Sequence, residues 1–294
     1  IASCLVGSEM CIRDREMSAG RSFPNKIVLK PIFPGVFIPN MFLNRGDRVL
    51  FMSATILDKD TFCRSVGISP DETAFVSVPC HFPVINRLIH VYPCGNLSYK
   101  SYDYGIPRVL EGIRRIMALH KGQRGIIHTH SWKVLKDIQK GIKDPRFIFQ
   151  DPKMRDREEY LRILKSSNDG VVVAPAMHEG LDLKDDWSRF QIIVKIPWPD
   201  FSDPQVKARA NVDPSWCVLQ PALKLVQESG RSVRSAEDWA STYILDSAFF
   251  GFYARSKILN GQSILPAWYR EALRIYKQDE TTDFLSGKSV PCKA

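Results

Sequence analysis

The sequence lacks several features that would assign it to a particular class of protein. It has no apolar run near the roughly 20 residues that cross a bilayer, and its start has neither the charged region nor the long apolar region of a signal peptide. Its seven cysteines, at positions 4, 11, 63, 80, 94, 217 and 292, include no Cys-x-x-Cys pair. The cysteines therefore indicate neither a disulfide framework nor a zinc or iron–sulfur site. We expect a cytoplasmic protein with reduced thiols and no membrane segment.

What the sequence does have is a globular composition and a surplus of positive charge. The 294 residues are 44% hydrophobic and 25% charged, enough to bury one large core or two smaller ones. The net charge of +9 favours a polyanionic partner such as nucleic acid. Many basic proteins bind no nucleic acid, so the charge supports a function only together with motifs.

The beginning of the chain is unusual. Residues 1–15 lack an initiator methionine, show no clean helical or strand period and resemble a translated sequencing-adaptor tail. We leave them out of fold reasoning and expect the natural protein to extend further upstream. Residues 26–42 are apolar but contain Pro31, Pro34 and Pro39, which predicts short extended pieces rather than helices.

Residues 48–57 form an apolar run that ends in small hydroxylated side chains. The run predicts a central parallel strand that is buried on both faces. Ser53 and Thr55 would then lie at the carboxyl end of the strand, where open α/β sheets bind ligands. The alternative is a strand end followed by a helix N-cap at Asp58 or Asp60, with the hydroxyl groups bonded only to the backbone.

Further along the chain, strand and helix periods alternate. Residues 79–99, which contain Pro79, Pro83, Pro93 and Gly95, predict a linker or crossover between domains. After it, helices are predicted around 109–117, 132–142 and 157–164, and strands at 125–129, 147–149, 170–175 and 190–196. Strands separated by helices of about ten residues indicate βαβ units and a parallel sheet. The predicted fold class is therefore α/β.

The most informative stretch is residues 227–234, Gln-Glu-Ser-Gly-Arg-Ser-Val-Arg, which follows an apolar helical stripe at 218, 219, 222, 223 and 226. If the helix continues, Gln227, Arg231 and Arg234 share one face and form a set of donors suited to phosphate oxygens. Gly230 removes a side chain at a point where a ligand would approach closely. The alternative is a basic helix end that complements the helix dipole.

Glu179, Gly180 and Asp182 follow the predicted strand at 170–175, so two carboxylates flank a glycine. Such carboxylates either cap the start of a helix or, in the case of Asp182, orient an arginine or a ribose hydroxyl.

His128 and His130 are two residues apart and would point to one face of a strand, as a pair of metal ligands does. No Cys or Asp with suitable spacing accompanies them, so we expect contact with nucleic acid and no metal.

Taken in chain order, three of these motifs resemble motifs III, V and VI of the XPD/DinG-like branch of superfamily 2 helicases. They are residues 53–55, 179–182 and 227–234, with βα units between them. Residues 127–131, Ile-His-Thr-His-Ser, would correspond to motif IV, and the resemblance covers residues from about 45 to 275. No single motif is specific, but their order is.

The resemblance implies a RecA-like carboxy-terminal motor domain with a central parallel sheet, preceded by a partial first motor domain. The implied divisions are a non-native segment at 1–15, the partial first domain at 16–80, a crossover at 81–100, the second motor domain at 101–280 and a tail at 281–294. ATP and Mg²⁺ would be bound mainly by an upstream half. Single-stranded DNA would be the partner of a protein that we expect to be a monomer.

The resemblance also implies roles for individual residues. Arg231 and Arg234 would reach the γ-phosphate of ATP, and Gln227 would position the nucleotide or the attacking water. Residues assigned to nucleotide binding are Glu179, Gly180, Asp182 and Gly230. Residues assigned to nucleic acid are Ser53, Thr55, His128, Thr129, His130 and Ser131.

The sequence departs from the family pattern in several places. No G-x-x-x-x-G-K-[ST] phosphate loop and no Asp-Glu-Ala-His box occurs in it. After motif VI the family usually has Asp-x-Arg-Phe, whereas this chain has Asp-Ser-Ala-Phe at 246–249. The iron–sulfur cysteines of the family, where present, lie upstream, so the cluster stays undecided. Two other interpretations remain open, a nucleic-acid-binding module that hydrolyses nothing and an α/β structural domain with decayed motifs.

Overall fold

The computed structural model describes residues 10–13, 17–18, 21–22, 28–153, 157–175, 185–257 and 263–288. The strands are β1 Met10–Arg13, β2 Met17–Ser18, β3 Arg21–Ser22, β4 Val28–Pro31, β5 Ile89–Gly95, β6 Gly125–His128, β7 Phe147–Phe149, β8 Val171–Ala174, β9 Phe190–Ile193, β10 Ser241–Asp246 and β11 Leu273–Ile275. The helices are α1 Ile38–Met41, α2 Lys59–Val66, α3 Tyr102–Leu119, α4 Trp132–Gly141, α5 Arg157–Ser166, α6 Pro204–Val212, α7 Pro214–Ser229, α8 Phe249–Ser256, α9 Ala267–Ala272 and α10 Gln278–Ser286.

Contacts divide the chain into two compact units. Unit 1 contains Ile1–Ser77 and Trp198–Leu223, and unit 2 contains Val78–Pro197 and Lys224–Ala294.

Unit 2 is built on a seven-stranded sheet with the order β11-β5-β10-β9-β6-β8-β7. All of its described strand pairs are parallel. Every residue of β6, β8, β9 and β10 is buried, and these strands are rich in valine and isoleucine, as expected for strands covered on both faces. The predicted α/β class with a central parallel sheet is confirmed.

Helices cover both faces of this sheet. The core on one face joins residues of α3, α4 and α10, such as Ile113, Ile138 and Phe284, to the strands. On the other face, Tyr160 and Leu164 of α5 pack against β6 and β8. The helices and strands predicted between 109 and 196 all occur, and β7 has the predicted bounds. The apolar periods were sufficient to predict the type of each element, because each has one buried stripe or two buried faces.

One strand lies inside the segment from which a linker was predicted. β5 is buried and pairs with both β10 and β11. Pro93 lies where the register between β5 and β10 shifts, across Ile244 and Asp246, and a proline is tolerated at such a bulge because no ladder N–H is needed there. The linker prediction was therefore wrong for residues 89–95, whereas the domain boundaries remain a prediction.

Residues 48–53, in unit 1, form no strand. They are exposed, with Leu50 and Met52 79% and 83% accessible. A central parallel strand needs a hydrogen-bonded neighbour on each side. Among the residues described in unit 1, the strands pair only as β1 with β4 and β2 with β3. The prediction of a buried central strand in residues 48–57 was wrong for this reason.

Residues 34–45 form short helical turns where extended pieces were predicted. A 3₁₀ turn at Pro34–Val36, helix α1 and a second 3₁₀ turn at Leu43–Arg45 follow one another. Pro34 is the first residue of the first turn and Pro39 the second residue of α1, positions whose N–H has no helical partner, so that its absence is tolerated. The prediction holds only for β4. Of the segment 1–15 that we left out of fold reasoning, the structure describes residues 10–13 as β1.

Candidate functional site

The carboxyl ends of the strands in unit 2 hold buried polar side chains, at the edge where open α/β sheets bind ligands. Asp246 ends β10 and accepts backbone N–H groups of Leu97 at 3.4 Å, Ile196 at 3.0 Å and Ala248 at 3.0 Å. Burial raises the pKa of Asp246, and the three hydrogen bonds oppose that shift. This carboxylate therefore fixes the loops that follow β5, β9 and β10.

The motif at 128–131 directly follows β6. His128 and Thr129 are 1% and 0% exposed. His130 and Ser131 are half-buried as whole residues, although the side chain of His130 is 6% exposed. The Thr129 N–H donates to the carbonyl of Ala174 at 3.0 Å, and its hydroxyl donates to the carbonyl of Ser131 at 3.1 Å. The side chains of His128 and Thr129 therefore point into the protein. The nucleic-acid role assigned to residues 128–131 remains a prediction.

His130 adopts a left-handed backbone conformation, with φ at 51°. Such a conformation is uncommon for a residue with a β-carbon and tends to occur where the surrounding structure enforces it. The imidazole Nε2 of His130 lies 3.2 Å from the carboxylate of Glu228, near the end of α7. The motif after β6 and the motif at 227–234 are thus brought into contact.

Helix α7 ends at Ser229, so Gln227, Arg231 and Arg234 do not share a continuous helix face, and that prediction was wrong. The chain turns away at Gly230, a residue type that favours helix carboxyl ends. Beyond it, Arg231 is half-buried and Arg234 is exposed. The alternative of a basic helix end stays open for Arg231.

Gly230 itself is not enclosed by the described residues. A β-carbon placed there would meet the carbonyl oxygen of Val226 at 3.3 Å and the ring of Trp268 at 3.9 Å. These distances leave room for a methyl group after a small adjustment. The ligand approach predicted at Gly230 remains a prediction.

The segment after Arg231 is held by hydrogen bonds and by an ion pair to residues that precede β9. The hydroxyl groups of Ser232 and Ser188 lie 2.9 Å apart and are buried. The Arg234 N–H donates to the Asp238 carboxylate at 3.2 Å, and Arg189 forms an ion pair with the same carboxylate at 2.8 Å. Because Ser188 and Arg189 lie just before β9, residues 228–238 run between the two ends of the sheet.

Sequence reasoning missed Glu228. It is 0% exposed, and glutamate is rarely so buried unless it is paired. The buried stripe of α7 runs through Leu219, Ala222 and Leu225, at intervals of three residues that continue to Glu228. An acidic residue in line with an apolar stripe is the signal that would have found it.

Glu179, Gly180 and Asp182 lie in residues 176–184, outside the described residues. Their cap and ligand roles remain predictions.

Ser53 and Thr55 lie in unit 1, shortly before α2. The Thr55 N–H donates to the hydroxyl of Ser53 at 3.2 Å. Asp58 is the N-cap of α2 and accepts the Thr61 N–H at 2.8 Å. The helix cap weighed as the alternative for this segment is confirmed, and a nucleic-acid role for Ser53 and Thr55 remains a prediction.

The described residues contain neither a membrane-spanning helix nor a cluster of metal ligands. No described helix is both long enough and apolar enough to cross a membrane. No group of three or more His, Cys, Asp or Glu side chains among the described residues is arranged to hold a metal ion.

Comparisons with known proteins match this architecture. The helicase C-terminal domain family matches residues 113–263, just over half of the chain. The Fanconi anemia group J protein homolog of Gallus gallus is 27% identical over 145 residues, which are 42% of this chain and 11% of that protein. ATP-dependent DNA helicase DinG of Photobacterium profundum is 25% identical over 243 residues, 75% of this chain and 34% of that protein.

A solved structure named XPD_Helicase superimposes with a TM-score of 0.60 at 15% identity, over 85% of this chain and 46% of that one. At this identity the likeness establishes the fold alone, and it confirms the predicted helicase-type fold. The chain spans 11% and 34% of the lengths of the two curated relatives.

Proposed function

The chain belongs to the helicase C-terminal domain family, in its XPD/DinG-like branch, and from this premise we propose that it is the carboxy-terminal motor domain of an ATP-dependent DNA helicase. In this proposal the domain couples ATP hydrolysis to translocation on single-stranded DNA and to unwinding of the duplex. It acts in the cytoplasm as a monomer.

One observation carries the proposal. Glu228, next to Gln227 and three residues before Arg231, lies 3.2 Å from His130 just beyond the carboxyl end of β6. The segment that bears the amide and guanidinium donors therefore begins at the edge of the sheet where α/β proteins bind nucleotides. Planar guanidinium groups at such an edge suit the oxygens of a transferring phosphoryl group.

Each residue has a proposed task. Arg231 and Arg234 donate hydrogen bonds to γ-phosphate oxygens, a role worth on the order of 10³ to 10⁵ in rate in other phosphoryl-transfer enzymes. Gln227 orients the nucleotide or the attacking water, and Asp182 couples this site to the surface that binds the DNA strand. Residues proposed to line the nucleotide are Glu179, Gly180 and Gly230.

Neither a phosphate loop nor an Asp-Glu-Ala-His box occurs in these 294 residues. The groups that hold the β-phosphate and Mg²⁺ would therefore come from a first motor domain, and we expect this chain alone to hydrolyse ATP negligibly. The same absence favours the second candidate function, a nucleic-acid-binding module that hydrolyses nothing.

The proposed DNA contacts are mainly electrostatic. The net charge of +9 favours binding to phosphates, with Ser53, Thr55, His130 and Ser131 as the proposed contacts, since His128 and Thr129 are buried. Single-stranded DNA should bind weakly, with an affinity that falls as salt rises, because basic side chains displace counterions. An affinity that does not change with salt would exclude a surface that tracks phosphates.

The decisive test replaces Arg234 by lysine in the chain assayed together with a first motor domain that carries the phosphate loop. Arg234→Lys keeps the charge but loses the planar fork, so kcat should fall by about 10³-fold or more while the affinity for ATP changes little. Arg231→Lys should behave similarly.

Arg274→Lys is the matched control, because Arg274 is exposed and bonds only to nearby backbone carbonyls in the described structure. Its kcat should stay near that of the unsubstituted protein. If Arg234→Lys also keeps a kcat within a few-fold, the guanidinium of Arg234 has no role in phosphoryl transfer and the assignment of motif VI fails.

A further inference from the structure

Three ionisable side chains form a buried cluster beside the carboxyl end of β6. His128 and Glu228 are 1% and 0% exposed, and the side chain of His130 is 6% exposed. The Glu228 carboxylate lies 3.2 Å from His130 Nε2 and 3.8 Å from His128 Nδ1. A carboxylate removed from water is unfavourable unless hydrogen-bond donors replace the solvent, and the imidazole of His130 is placed to do so.

The cluster joins two elements that are far apart in sequence. His130 is held by its backbone, with the left-handed φ of 51° and with its neighbour Thr129 bonded to Ala174 at 3.0 Å. Glu228 is the second-last residue of α7, and its carbonyl accepts the N–H of Arg231 at 3.1 Å. A shift of the Glu228 side chain would therefore affect both the backbone at His130 and the backbone between Glu228 and Arg231.

Stability alone does not explain the cluster. An apolar residue of similar size is often as stabilising as a buried charged group or more so. What a hydrogen-bonded carboxylate adds is a defined position, because its bonds have fixed lengths and directions.

We propose that Glu228 is a positioning residue: its bond to His130, with His128 close by, fixes the end of α7 so that Gln227 and Arg231 are placed for phosphoryl transfer. This inference rests on the proposed function. Metal binding by the three side chains is not supported, since the described residues contain no group arranged to hold a metal ion.

The kinetic test uses the chain together with a first motor domain that carries the phosphate loop. Glu228→Ala should lower kcat by about 10- to 100-fold, the scale expected for a displaced catalytic group, with a much smaller change in KM for ATP. Glu228→Gln keeps an oxygen that can accept from His130, so it should restore kcat to within about threefold of the unsubstituted value. Glu237→Ala, an exposed position in the same segment, is the matched control and should leave kcat unchanged.

A double-variant cycle makes the kinetic test specific for the pair. If Glu228 and His130 act as one unit, Glu228→Ala combined with His130→Ala should be no slower than the slower single variant. Effects on kcat that multiply, or a Glu228→Ala protein that loses only thermal stability and keeps kcat, would overturn the proposal.

A second measurement needs no ATP hydrolysis and protects against a Glu228 variant that does not fold. In NMR spectra of the chain alone, His130→Ala should move the backbone amide signals of Gln227 and Arg231, although these residues are about a hundred positions away in sequence. His81→Ala, at an exposed histidine, should not move them. Unmoved signals in His130→Ala would overturn the positioning role. If the unsubstituted chain together with the first motor domain hydrolyses no ATP, the proposed function fails, and the NMR result still decides whether the contact positions the segment.

Discussion

Similar apolar segments are buried in unit 2 and exposed in unit 1. In unit 2, Val171, Val173 and Ile192 are 0% exposed and lie in strands that are paired with another strand on each side. In unit 1, Leu50 and Met52 are 79% and 83% exposed, beside a cavity of about 350 Å³ that residues 49–53 and 73–76 help to line. Both segments have the composition of a buried strand. The difference shows that hydrogen-bonded neighbours, rather than composition, turn an apolar run into a strand.

Amide hydrogen exchange should show the largest difference between the two segments. The N–H groups of Ile192 and Ile193 lie in a strand that is paired on both sides, whereas residues 49–52 belong to no strand. We expect exchange at 192–193 to be slower by on the order of 10³-fold or more, because it requires opening of the sheet. Equal protection at residues 49–52 would break the comparison.

Truncation of single side chains tests the same contrast energetically. Ile192→Ala removes a fully buried side chain from the core of unit 2 and should lower the free energy of unfolding by about 3 kcal/mol. Leu50→Ala removes a side chain that is already 79% exposed and should change it by less than about 0.5 kcal/mol. Urea unfolding followed by fluorescence measures both, and a large effect at Leu50 would show that this segment is covered in solution.

Lower pH should weaken unit 2 through a buried histidine. Burial, reinforced by the charge of Arg274 and by His120, lowers the pKa of His90 to about 4 from 6.5. Because the folded pKa lies below the unfolded one, this histidine leaves stability unaffected above pH 6.5 and reduces it as the pH falls toward 4. The loss should approach about 3 kcal/mol near pH 4, at about 1.4 kcal/mol per pH unit.

His90→Gln removes the titrating group while keeping a side chain that can bond to the hydroxyl of Tyr276, which lies 3.0 Å from His90 Nδ1. Its unfolding free energy should depend less on pH between 6.5 and 4 than that of the unsubstituted chain. His81→Gln, at an exposed position, is the control. An unchanged pH dependence in His90→Gln would place the titrating group elsewhere.

Sequence patterns were reliable where one segment determines its own structure. The apolar periods of α3 and α4 gave the correct element type, because each helix depends on burial of its own stripe. The patterns failed at Pro93, which lies in a strand because the register shifts opposite it. They also failed at residues 48–53, because a strand there would need hydrogen-bonded neighbours.

The candidate site shows the same limit. The sequence identified residues 227–234 and 128–131 as motifs, but contact between them depends on the tertiary fold of unit 2. Glu228 and His130 are 98 positions apart, and no local period links two such residues. The end of the helix at Ser229 was missed because the apolar stripe does not show where the helix stops, although Gly230 is a typical stop signal.

We propose that this chain supplies one half of an ATP-driven motor and that a first motor domain supplies the groups that hold the β-phosphate and Mg²⁺. The most direct test is steady-state ATP hydrolysis in the presence of single-stranded DNA, measured for the chain alone and for the chain with a first motor domain that carries a phosphate loop. We predict no turnover above background for the chain alone and DNA-stimulated turnover for the two together. DNA-stimulated turnover by the chain alone, or none by the combination when each part is folded and binds its ligand, would contradict the proposed division of the motor.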